Sequence, residues 1–74
     1  MKLNETEKRI RKRMMKMLRM SFKLMQKETK RELQFMHHQD AERTAYLLSE
    51  CNLITFEKCC LLVKIIDKAY KRLN

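Results

Sequence analysis

Not one glycine or proline occurs between Met1 and Asn74. Any backbone position that needs a positive φ must therefore be held by Asn or Asp, and two-residue β-hairpins lose their usual turn residues. Met, Leu, Lys, Arg, Glu and Gln, all good helix formers, dominate what remains. The expectation is an all-α fold in a single domain, residues 1–74. At 74 residues one hydrophobic core supplies only a few kcal/mol of stability, so a homodimer or a partner is expected to complete it.

At about 100° per residue, Leu3, Ile10, Met14, Met17, Leu18, Phe22, Leu24, Met25, Leu33, Phe35 and Met36 fall within one half of a helical wheel. Lys8, Lys12, Lys16, Arg19, Lys23, Lys27 and Lys30 fall in the other half. Arg11 and Glu32 break the apolar side and Met20 the basic side. The pattern predicts one long amphipathic helix over about 4–37, with Asn4 as N-cap and Glu5 and Glu7 in the first turn, where the helix dipole favours acids. Beyond Met36 the stripe changes phase at Ala41, Ala45 and Leu48, which predicts a break near His37–Asp40 and a second helix over about 40–51 capped by Asp40. Asn52 is suited to the left-handed residue that ends this helix, Thr55 to the next N-cap, and Ile54 to packing on Cys59. A third helix follows over about 55–73, with Phe56, Cys59, Val63, Ile66, Tyr70 and Leu73 in strict 3-4 spacing. Its polar arc is narrow, so it must be covered on more than one side. The predicted architecture is a long basic N-terminal helix packed on a C-terminal helical hairpin.

The turn Asn52-Leu53-Ile54-Thr55-Phe56-Glu57 resembles the Gly-Leu-Ile-Thr-x-Glu turn of short C-terminal helical hairpins of the SHOCT type, over about residues 44–72. Asn52 stands where that family usually has Gly, and Phe56 and Cys59 depart from its pattern. The resemblance implies a hairpin used for assembly.

The net charge of +9 is concentrated at one end: residues 1–36 carry net +8 and residues 37–74 net +1. Between Lys8 and Arg31 eleven Lys and Arg face a single acid, Glu28. Like charges four residues apart repel on a helix, and a face this lopsided predicts an anionic partner. The candidate phosphate-binding residues are Lys8, Arg9, Lys12, Arg13, Lys16, Arg19, Lys23, Lys27, Lys30 and Arg31. No set of Arg, Asn or Gln is arranged to read base edges, so the expected contact is with the nucleic-acid backbone. Read as a helix-turn-helix, residues 42–72 would need a polar recognition helix, whereas FEKCCLLVKIIDKAYKRL is mostly apolar.

The apolar positions Met14, Met17, Leu18, Phe22, Met25, Phe56, Val63, Ile66 and Tyr70 are candidates for an oligomer or partner interface. Soft methionines on a basic helix also suit an acidic protein surface, which makes an adaptor or inhibitor the rival function. His37, His38, Cys51, Cys59 and Cys60 lack zinc-finger spacing, and neighbours such as Cys59 and Cys60 point about 100° apart, so no metal or other cofactor is expected. Glu28 and Glu32 form an i,i+4 pair suited to a buried contact with Arg11 of an antiparallel mate or with Lys64 of the last helix rather than to acid-base chemistry, so catalysis is not expected. Three cysteines suit a reducing cytoplasm. The apolar runs are too short for a membrane span, and the N-terminus has no secretory pattern. The combined expectation is a cytoplasmic, non-catalytic nucleic-acid-binding accessory or regulatory protein, of the kind that phage and other mobile elements encode.

Overall fold

The computed structural model describes residues 2–73, and every regular element among them is an α-helix: α1 (Glu5–Lys27), α2 (Arg31–Glu50) and α3 (Phe56–Arg72). α2 is the central element and packs on both neighbours, while α1 and α3 touch only over a short stretch. The molecule is elongated, about 40 × 20 × 13 Å.

α1 starts as its sequence predicts. The Asn4 side chain accepts the Glu7 N–H at 2.8 Å, and the Asn4 N–H donates to Glu7 Oε1 at 3.0 Å, a complete capping box.

The helix does not run on to residue 37. It ends at Lys27, and the predicted break at His37–Asp40 is uninterrupted helix inside α2. Glu28 and Lys30 take extended backbone, and the groups this exposes are satisfied locally. Glu28 Oε1 accepts the N–H groups of Thr29 at 3.0 Å and Lys30 at 3.3 Å, and Gln34 Nε2 donates to the Glu28 carbonyl at 2.7 Å. These backbone bonds, Lys30 first, hold the Glu28 carboxyl below its ordinary pKa. Glu28 is therefore committed to its own turn, and its anticipated pairing with Glu32 on one helix face does not occur. A helical wheel counts positions and does not register a break in the backbone, so Leu33, Phe35 and Met36 fall in phase with a helix they do not continue, and in α2 Phe35 and Met36 are exposed. The predicted long helix is in fact α1 and the first two turns of α2, and the remainder of α2 takes up the predicted second helix.

Asp40 lies within α2, where its carbonyl accepts the Thr44 hydroxyl at 2.8 Å. The buried stripe of α2 is Gln34, His38, Ala41, Ala45 and Leu48, a regular 4-3-4-3 spacing whose first two members are polar. The alanines leave little side chain between α2 and whatever packs on it.

The α2–α3 turn follows its sequence closely. Asn52 is the one non-glycine residue with positive φ (57°) among the described residues. Leu53 and Ile54 donate to the Leu48 carbonyl at 2.8 and 3.3 Å, and the Thr55 hydroxyl accepts the Lys58 N–H at 3.1 Å. A β-branched residue at Asn52 would strain this position by roughly 1–2 kcal/mol, whereas glycine fits it. Asn52→Val should lower the urea midpoint and Asn52→Gly should leave it in place or raise it.

The core consists of Leu18 from α1, Ala41, Ala45 and Leu48 from α2, Leu53 and Ile54 from the turn, and Cys59 and Ile66 from α3, flanked by Leu3, Met14, Met15, Phe22, Leu62 and Val63. Met25 is also fully buried. Leu18, Met25 and Ile66, predicted as interface, are thus taken up by the chain's own interior. Met14, Phe22, Val63 and Tyr70 are half-buried. Met17 (59% exposed) and Phe56 (72%) are left on the surface, because Met17 lies to the side of the Leu18–Met25 line and Phe56 opens α3 at the edge of the core.

Candidate nucleic-acid interface

All ten predicted cations are exposed. Eight lie on α1, Lys30 is the N-cap of α2 and Arg31 its first residue. Lys8 Nζ sits 3.7 Å from Glu5 Oε1, an exposed pair of little energetic weight. The other nine make no ion pair among the described residues. Since α1 rises about 1.5 Å per residue, its cations from Lys8 to Lys27 are spread over about 28 Å.

The cations are not a single flat row. Lys8, Lys12 and Arg19 join Arg11 and Lys58 around a cleft of about 600 Å³ between α1 and the α2–α3 turn, with Met15, Leu53, Ile54 and Thr55 completing its lining. Five cationic side chains line this cleft without a carboxylate. Thr55 also caps α3 here, so the positive end of that helix dipole adds to the field. Arg9, Arg13 and Lys16 surround a second depression with Thr6, Ile10 and Lys12. Lys23, Lys27, Lys30 and Arg31 belong to neither, and extend the charge past the end of α1.

Arg11 and Lys58 were not among the predicted contacts. On the wheel Arg11 looked like a flaw in the apolar side. Its i,i+4 relation to Met15 and i,i+8 relation to Arg19 is the signal that it shares their cleft. Lys58 enters only because the turn folds the first turn of α3 back toward α1, which no spacing in the sequence expresses.

A second polar cluster joins α2 to α3. His38 Nε2 lies 2.7 Å from Asp67 Oδ1 and 3.6 Å from Glu42 Oε1, and the His38 ring stacks on Tyr70 with centroids 4.3 Å apart. Burial, then the hydrogen bond with Asp67, pushes the Glu42 carboxyl up to about 7. Asp67 is held below its ordinary value by its hydrogen bonds to Glu42 and His38. Of the residues weighed for metal binding, His38 is buried here, while the three cysteines are free thiols, with Cys51 and Cys60 exposed. Burial raises the pKa of the Cys59 thiol, as in an inert core cysteine.

No helix among the described residues is long and apolar enough to cross a membrane. No family model matches the chain, and neither a curated protein nor a solved structure matches it significantly.

Proposed function

We propose that this chain is a non-catalytic nucleic-acid-binding protein, an accessory or regulatory factor of the cytoplasm, that grips the phosphate backbone with the cationic face of α1 and the adjoining cleft. The observation that carries this reading is the set of nine exposed Lys and Arg without an acidic partner, continued into a cleft whose charged lining residues are all cations. Cations at successive helical turns, about 6 Å apart, can follow a phosphate chain, and each contact releases condensed counterions. Binding of this kind depends strongly on salt and weakly on sequence. A second copy of the chain, packed through exposed apolar side chains such as Met17 and Phe56, would double the cationic surface.

One observation favours a different partner. Ile10, Met17, Met20 and Leu24 are all exposed on α1, beside the cations. Such a mixed surface also suits an acidic protein, with charge speeding the encounter and methionines adapting to the contact.

The test is fluorescence anisotropy with labelled single- and double-stranded DNA and RNA at low salt, with helix content followed by circular dichroism. Binding that weakens steeply with added salt supports the nucleic-acid reading. A folded chain that binds none of these polyanions would refute it and point to the acidic protein partner.

A further inference from the structure

We propose that His38, Glu42 and Asp67 form a site for a divalent transition-metal ion that clips α2 to α3. His38 and Glu42 stand four residues apart and so occupy one face of α2 a single turn apart. Asp67 reaches the same point from α3. The ligating atoms of the three side chains all lie within 4.8 Å of one another, close enough for one ion to touch all of them after small side-chain adjustments.

The polar arithmetic of the cluster favours a cation. Two carboxylates converge on one imidazole nitrogen, and Nε2 supplies at most one proton to share between them. Although the chain holds 18 Lys and Arg, none of them makes an ion pair with Glu42 or Asp67 among the described residues. Two acidic side chains thus share one imidazole and no directly paired Lys or Arg, with Lys71 acting on Asp67 only from a distance. The imidazole is also oriented in advance: His38 is only 8% exposed and stacked on Tyr70, so Nε2 is held pointing at the carboxylates. The Asp67 side chain is 44% exposed, which leaves the ion a path in from solvent.

One imidazole and two carboxylates suit zinc, manganese or iron(II) better than the all-oxygen shells of calcium. Three protein ligands leave a position for water. The site is independent of the nucleic-acid reading, since it lies on the α2–α3 joint and shares no residue with the cationic cleft.

Zinc chloride, titrated into the reduced full chain against a chromophoric chelator, tests this. Because Cys51 and Cys60 are exposed and compete for zinc, the background is C51S/C60S. In that background, one zinc per chain is expected to bind and to raise the melting temperature by roughly 5 °C. X-ray absorption should show only nitrogen and oxygen neighbours at about 2.0–2.2 Å, with no sulfur near 2.3 Å. Adding the near-isosteric changes E42Q and D67N should weaken binding at least a hundredfold while circular dichroism shows the helices intact. Loss of zinc binding in C51S/C60S, its survival in C51S/C60S/E42Q/D67N, or a sulfur shell around the metal would overturn the proposal.

Discussion

Leu48→Ala is expected to remove about 3 kcal/mol of unfolding free energy, within the 2–5 kcal/mol typical of a fully buried leucine whose site cannot collapse. Leu48 is completely buried, and its carbonyl accepts both Leu53 and Ile54, which fold over it into the α2–α3 turn. The side chain packs in one cluster with Leu53 and Ile54 of the turn and with Ala45, Cys59 and Ile66, so it supports the core and the turn together. A domain of this size holds only about 4–11 kcal/mol in all, so the loss takes between roughly a quarter and three quarters of its stability. Met17→Ala, on the exposed side of α1, should change stability by less than about 0.5 kcal/mol. Urea unfolding followed by far-ultraviolet circular dichroism compares the two. Equal effects at the two positions would contradict the assignment of the core.

The second large effect concerns binding. Changing Lys12, Lys16, Lys23 and Lys27 together to Gln keeps strong helix formers at every position, so α1 should persist. It removes four of the exposed cations. If each contacts a phosphate, the slope of log affinity against log salt falls in magnitude by about 3.6 on duplex DNA, and affinity at low salt falls roughly a hundredfold or more. A variant that binds as tightly as the unaltered chain would place the phosphate contacts elsewhere on the molecule. Anisotropy titrations across a salt series read both quantities.

The parts of the fold that were legible in the sequence are those written in short-range chemistry. Asn4 with Glu7, Asn52 and Thr55 each solve a backbone problem within three residues, and without glycine or proline there were few other candidates for those tasks. The Glu28–Lys30 turn was hidden for the converse reason. Its backbone groups are satisfied by a glutamate and by a glutamine six residues on, both common inside helices, and a wheel drawn on sequence positions does not register the interruption. The stripe of α2 was obscured because Gln34 and His38 occupy core-facing positions with polar side chains. Among the cations, α1 was readable because one helix face sets the row. Arg11 and Lys58 come together only through the fold, and Asp67 meets His38 and Glu42 across 29 and 25 positions of chain, where spacing within one element says nothing.

The salt dependence of duplex binding by the R11Q/K12Q/K58Q variant beside the unaltered chain tests most directly the proposal that phosphate is held by the α1 face and the cleft together. The expected result is a steep slope for the unaltered chain and one smaller by about 2–3 for the variant, with unchanged helix content. Identical slopes, or no binding by the folded chain at low salt, would contradict it.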